Sequence, residues 1–434
     1  MARSIDVEAF INAQPVGALQ RRVLWLCFAL VALDGIDTAS IAFIAPALKA
    51  EWQLLPAMLG PLFGAGLFGL MLGALGFGPL SDRIGRKPVL LLTCLIFGSM
   101  SLLSGFVRDL DMLIALRFLT GLGLGGAMPN AITLASEYCP QQRRASLVTL
   151  MFCGFTLGSA LGGLLAAAII PHWGWRAVLW AGGVLPLCLL PLLFLALPES
   201  VRFLALRGGR NVQIGAILRK LAPSEDVTGA HFTGQSASQG LRVRLLFSAE
   251  LIRGTLLLWT TCFMSLLVVY LLTSWLPTLL TGHGVALGTA SLVAMTFNIG
   301  GTLGGIWLGR RMDQRHESRV LAVAFASTAL FIFLIGWGSA HLWLVSLCVF
   351  IVGWCVSGGQ VGVNALAAGL YPTAARATGV SWANAIGRCG SVLGSMTGGY
   401  LLALGWDMAM IFALLAVPAL IAGLALWLMP VRAK

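Results

Sequence analysis

The sequence predicts an all-α membrane protein: twelve transmembrane helices in two pseudo-symmetric six-helix bundles. Three observations carry this expectation. Hydrophobic residues make up 58% of 434 positions and charged ones only 10%, whereas a soluble globular chain is about a quarter charged. Apolar runs long enough to cross a hydrocarbon core, about 20 residues for about 30 Å, recur twelve times. Motifs of the first half also return about 230 residues later.

Residues 1–21 form an N-terminal segment. It carries Asp6, Glu8 and Pro15 and lacks the apolar core of a cleavable signal peptide. A first bundle, 22–197, is expected to hold spans at 22–47, 57–80, 88–107, 112–137, 145–170 and 175–197. A second bundle, 251–429, holds spans at 251–279, 288–309, 319–338, 341–369, 378–404 and 408–429, followed by a tail, 430–434. Between the bundles lies a linker, 198–250. Its centre, Pro223 to Gly240, is rich in Ser, Gly, Thr and Gln and has few apolar residues to bury, so a mobile segment is predicted.

The net charge of +12 has a topological cause. Arg21, Arg22, Arg83, Arg86, Lys87, Arg143, Arg144, Arg310, Arg311, Arg315, Arg319 and Arg376 fall in alternate loops, as do the basic residues of the linker and tail. Only Lys49, Arg108 and Arg176 fall in the opposite loops. Such a bias predicts a multi-pass protein of the cell inner (cytoplasmic) membrane with both termini and the linker cytoplasmic. The bilayer is thus the expected partner, and no nucleic acid. The nine cysteines form no Cys-x-x-Cys pair and the five histidines lie at predicted helix ends or in loops. Neither a metal site nor a cofactor is expected.

The repeat is specific in its residues. Pro140-Gln-Gln-Arg-Arg144-Ala145 opens the fifth span and Pro372-Thr-Ala-Ala-Arg376-Ala377 the eleventh. Gly154, Gly158, Gly162 and Gly163 reappear with the same spacing as Gly390, Gly394, Gly398 and Gly399. Glycines spaced this way let helices approach closely. A duplicated chain of this kind is self-contained, so a monomer is expected. Its substrate site belongs near the midplane between the halves.

Four ionisable residues stand well inside the spans: Asp34 and Asp37 in the first, Arg117 in the fourth and Arg388 in the eleventh. A charge at the bilayer centre costs about 2.5–3.5 kcal/mol on insertion scales, so these must face protein or a water-filled cavity. An acid desolvated beside a second acid binds a proton more readily. Asp34 and Asp37 are therefore the proton-coupling candidates. Arginine keeps its charge, and its planar fork matches a carboxylate. Arg388, beside Gly387 and Gly390, is the candidate for a substrate carboxylate and Arg117 the candidate partner of Asp37, with the two roles exchangeable. A static ion pair that only fixes helix packing is the alternative. Trp382, Asn384, Gln360, Asn364, Asn298, Tyr270 and Trp275 are further candidates for the pocket, with Gln360 and Asn364 one turn apart.

Several motifs resemble those of a known family. Gly78-Pro-Leu-Ser-Asp82-Arg83-Ile-Gly85-Arg86-Lys87 is similar to the loop between the second and third helices of the major facilitator superfamily. Arg117-Phe-Leu-Thr-Gly121-Leu-Gly123 and Pro198-Glu199-Ser200-Val-Arg202-Phe resemble its fourth-helix and sixth-helix motifs. Asp34-Gly35-Ile36-Asp37, Leu272-Thr-Ser-Trp275-Leu-Pro277-Thr, and Arg376-Ala-Thr-Gly-Val-Ser-Trp382 with Ile386-Gly387-Arg388 resemble its aromatic acid/proton symporters. Ile36 replaces an aromatic residue usual there, Ser159 stands where the superfamily's antiporters carry proline, and Arg310 aligns with Asp82 in the second-half loop.

The resemblance implies the major facilitator fold and proton-coupled uptake of an aromatic carboxylate such as 4-hydroxybenzoate, protocatechuate or benzoate. It also implies that Asp82, Arg83, Arg86, Glu137, Arg144, Asp313 and Arg376 gate the cytoplasmic mouth through charge pairs. A proton/drug antiporter of the same fold is the alternative. A membrane-embedded enzyme is disfavoured, because no cluster of His, Cys and carboxylate is visible near either interface.

Overall fold

Apolar sequence, interrupted by glycine and proline at regular intervals, gives a protein that is helical almost throughout. The computed structural model describes residues 4–208, 210–222, 225, 230–233, 243–314, 317–337, 341–371 and 373–429; the side chains of 4, 142–149, 231, 243–244, 313–314, 368 and 373–377 lie outside that description. A short strand β1 (Ser4–Asp6) and helix α1 (Val7–Ala13) precede α2 (Ala18–Trp52), α3 (Pro56–Ile84), α4 (Arg86–Ser104), α5 (Leu110–Tyr138) and α6 (Gln141–Ala196). The linker holds α7 (Val201–Arg207), α8 (Asn211–Leu221), β2 (His231–Thr233) and α9 (Val243–Leu246). The second half comprises α10 (Ile252–Gly282), α11 (Leu287–Gln314), α12 (Glu317–Trp337), α13 (Leu342–Val352), a π-helical turn (Gly353–Ser357), α14 (Gly358–Leu370), α15 (Thr373–Ala403) and α16 (Met408–Trp427).

Twelve crossings follow from these elements. Ten helices among the described residues are long and apolar enough to span a membrane. One of them, α6, breaks at Gly174, whose φ of 74° is left-handed, and so makes two crossings. The twelfth is α15, 31 residues long but diluted by Ser, Thr, Asn and Arg. The crossing α13–α14 is a single span widened by its π turn.

Local chemistry sets the ends of the helices. Gln53 adopts a left-handed C-cap (φ 52°) and Pro56 starts the next helix at a position where its missing N–H costs nothing. Asp109 and Asp407 accept from Met112 N and Met410 N, both at 2.8 Å, capping α5 and α16. Gly85, at φ 107°, turns α3 sharply into α4.

Packing repeats between the halves. The pair α2/α6 in the first corresponds to α10/α15 in the second, and α4/α6 corresponds to α12/α16. The glycine ladders explain the closeness. Gly158 lies against the carbonyl of Ala32 and Gly162 against Ile36, while Gly390 and Gly394 lie against the carbonyls of Phe263 and Leu267. A side chain at Gly158, Gly390 or Gly394 would collide with the facing backbone, and one at Gly162 would be tight. The halves meet through α3/α15, α6/α11 and α2/α10.

Both ends of the described chain and the linker share one face. β1 pairs in parallel with β2, with Ser4 opposite His231 and Asp6 opposite Thr233, and Leu428 O, at the end of α16, accepts from Arg253 at the start of α10. Of the linker centre expected to be mobile, 223–240, only residues 225 and 230–233 are described, and 231–233 form this strand. Ala230 and Phe232 are buried with Ile5, Val7, Ile11, Ile214 and Leu218 in the first-half core. Strand β2 thus shares a core with Ile5, Val7 and Ile11, more than 200 positions earlier, which the composition of the linker does not reveal. The cysteines also divide: Cys188 and Cys389 are exposed, whereas Cys27, Cys94, Cys139, Cys262, Cys348 and Cys355 are buried thiols.

Candidate functional site

A cavity of about 1180 Å³ lies between the halves and is lined by both. Its wall runs from Phe43, Leu62 and Phe63 on one side to Pro79, Ile132, Phe152, Val380 and Ser381 near the linker face. On the opposite face the halves are shut against each other. A methyl added to Gly60 would stand 2.9 Å from Met396 O, and one on Gly399 2.7 Å from Pro56 O. Phe63 meets Trp275 edge to face at 5.1 Å. The cavity thus reaches toward the linker face only.

The first-half wall contributes two buried acids from α2. Asp34 and Asp37 are each 1% exposed. Three residues apart on a helix, they share a face but meet different groups. Asp37 is enclosed within the first bundle: Arg117 Nη1 donates to its Oδ2 at 3.3 Å and Ser101 Oγ to its Oδ1. Arg117, 3% exposed, also donates to Ser101 Oγ at 3.2 Å and Ser104 Oγ at 3.3 Å. Gly182 leaves room for this cluster, since a Cβ there would lie 3.3 Å from Asp37 Oδ1. Asp34 accepts only from Thr38 Oγ1 of its own helix, at 3.1 Å, and lies within electrostatic reach of Arg388. Ser159 Oγ donates to Gly35 O between the two acids, fixing α6 on α2 at that point.

The second-half wall contributes one guanidinium and a set of uncharged polar groups. Arg388, half-buried on α15, donates from Nη1 to Tyr270 Oη of α10 at 3.1 Å. Gln360 Oε1 accepts from Ser265 Oγ at 2.7 Å, which leaves its NH2 group for the cavity. Asn298 and Asn364 line the cavity as well. The π turn ends at Ser357, three residues before Gln360, where the span packs on Gly304 of α11. Such turns recur at functional sites.

Other candidates lie elsewhere or serve other ends. Trp275 does not line the cavity. It is fully buried, donates from Nε1 to Ser395 O at 2.7 Å and packs on Gly398. Trp382 touches the cavity but stacks on Trp259 at 5.9 Å, and Asn384 donates to Val380 O of its own helix at 3.1 Å.

At the linker face, Arg86 pairs with Asp82 at 2.8 Å and with Glu137 at 3.7 Å. Sequence reasoning omitted Glu199 from this cluster. Its Oε1 accepts from Arg86 N at 2.9 Å and Lys87 N at 3.2 Å, supplying the anionic cap that Gly85 cannot give α4. Arg83 offers its carbonyl to Arg207. The side chains of Arg144, Asp313 and Arg376 lie outside the described residues. The pairs of Arg86 with Asp82 and Glu137, Arg117 with Asp37 and Arg176 with Glu51 all lie in the first half.

Thr38, Ser101, Ser104 and Ser265 were also missed. The only sequence signal was position: Thr38 follows Asp34 by one turn, and Ser101 and Ser104 share a face.

A sequence profile of the Major Facilitator Superfamily matches residues 27–315 and 258–434. The chain is 45% identical to the 4-hydroxybenzoate transporter PcaK of Pseudomonas putida, over 97% of this chain and 95% of that protein. It is 47% identical to a gallate transporter of Pseudomonas putida, over 97% of this chain and 94% of the relative. Its fold is similar to the inward-open xylose transporter XylE from E. coli, with a TM-score of 0.77 over 95% of this chain and 97% of the other at 18% identity.

Two duplicated bundles around a shared cavity define a membrane transporter, and not an enzyme. The chain belongs to the major facilitator superfamily and, within it, to the aromatic-acid transporters.

Proposed function

We propose that the protein takes up an aromatic carboxylate such as 4-hydroxybenzoate, protocatechuate or benzoate together with protons, by alternating access of the central cavity. The observation that carries this is the composition of the central cavity: a guanidinium braced by a phenol on one half, two buried acids on the other, one of them paired with Arg117. The relatives' names supply the substrate class.

The chemistry follows from the residues. Arg388 offers a fork to a carboxylate. An arriving carboxylate competes with Asp34 for the charge of Arg388. Once that charge is neutralised by substrate, the buried Asp34 is stabilised by taking a proton. Proton and substrate then favour each other's binding, which is the thermodynamic content of symport. Asp37, with Arg117 as partner, forms a second proton site coupled to helix packing in the first bundle. Asp82, Arg83, Arg86, Glu137, Arg144, Asp313 and Arg376 act as the charged latch of the linker-face mouth. The protein works as a monomer in the inner membrane with its ends and linker in the cytoplasm.

Uptake of labelled 4-hydroxybenzoate into proteoliposomes tests this, with an acid-outside gradient imposed or collapsed and protein-free vesicles as control. Saturable, protein-dependent accumulation that vanishes with the gradient is expected. Gradient-independent equilibration would leave a carrier without proton coupling, and no uptake of any aromatic acid would remove the substrate class.

A further inference from the structure

The polar groups of the cavity are divided in a way that carrying a carboxylate alone does not require. The first half supplies the acids with Arg117, and the second half supplies Arg388 with the carboxamides of Asn298, Gln360, Asn364 and Asn384, the last turned to Val380 O of its own helix. Asn298 and Asn364 are half-buried, and neither side-chain amide has a hydrogen-bond partner among the described residues. Gln360 has only its oxygen engaged, by Ser265. Amides facing the cavity in this way keep donors and acceptors free for a ligand.

We infer that Asn298, Gln360 and Asn364 form the specificity subsite for a ring hydroxyl, so that the carrier selects hydroxylated aromatic monoacids over unsubstituted ones. The inference rests on the aromatic-carboxylate function proposed above. A phenolic hydroxyl both donates and accepts, and a carboxamide offers both complements; the free NH2 of Gln360 donates. Charge narrows the class further. Arg388 is the one guanidinium on the second-half wall among the described residues, and Arg117 is held by Asp37. A second carboxylate would therefore meet neutral amides, which excludes a diacid as the preferred substrate. An acid lacking the hydroxyl would leave the amides unpaired, and sites built to bond a hydroxyl reject such analogues strongly.

The test is competition against labelled 4-hydroxybenzoate by unlabelled 4-hydroxybenzoate and by 4-methylbenzoate, which matches it in size and lacks the hydroxyl. Wild type should prefer the hydroxyl compound. Asn298→Leu and Asn364→Leu, which keep the number and branching of the side-chain heavy atoms, should each shrink the ratio of the two inhibition constants by about tenfold. A ratio taken within one variant does not depend on how much of it folds. An unchanged ratio, including both acids weakened alike, overturns the hydroxyl subsite. Wild-type protein indifferent to both acids strikes down the aromatic-carboxylate function itself, and this inference with it.

Discussion

Asp34 and Asp37 show how neighbouring residues of one type acquire different work. Asp37 is held by Arg117 and Ser101 inside the first bundle, whereas Asp34 answers across the cavity to Arg388. Asp34→Asn should abolish accumulation against a gradient while substrate still exchanges between labelled and unlabelled pools. Accumulation at the wild-type level would remove Asp34 from coupling. Arg117→Leu should lower stability by about 3–5 kcal/mol, because it leaves a buried carboxylate without its cation, and Asp37→Leu added to it should recover most of that loss. Melting of the purified single and double variants decides the point. Arg388→Lys keeps the charge but loses the fork and should weaken binding about tenfold; equal affinity would place the carboxylate elsewhere. The four intramembrane charges were legible in the sequence because a charge stands out in an apolar run. Their serine and threonine neighbours were not, since such hydroxyls commonly satisfy themselves on their own helix, as Ser104 does on Met100 O.

At the level of helices, the glycine ladders decide how near one span lies to another. Gly158 abuts the carbonyl of Ala32, whereas Gly76 has nothing within 4 Å of where a Cβ would stand. Gly158→Ala should therefore cost about 1–3 kcal/mol, and Gly76→Ala should be neutral or gain up to about 1 kcal/mol. Comparable melting of both variants would show that the ladder tolerates separation. The ladder was visible as a repeated spacing, and so was the packing it serves. The π turn at Gly353–Ser357 was not, because it answers to Phe297 and Gly304 on another helix rather than to its own residues. Strand β2 was hidden for a related reason: its partner lies at the far end of the first half.

On the scale of the whole molecule, the cavity reaches one face because α3 and α15 seal the other. Gly64 and Met396 face each other there, with a Cβ on Gly64 2.6 Å from Met396 Cγ. Cysteines at both positions, in a background lacking the exposed Cys188 and Cys389, should form a bond that stops uptake and releases it on reduction. Undiminished uptake by the cross-linked protein would mean that this seal never opens. The two-bundle plan was legible from the repeat alone, while the direction in which the cavity opens depends on side chains that meet only after folding. The pairing of Ser4–Asp6 with His231–Thr233 adds an ordering in time. Ser4 leaves the ribosome 227 residues ahead of His231 (231 − 4), and at about 5–20 residues per second it waits roughly 10–45 s for its partner. By then all six spans of the first bundle have been synthesised, so the small sheet closes only over a finished half and marks its completion before the second half is inserted.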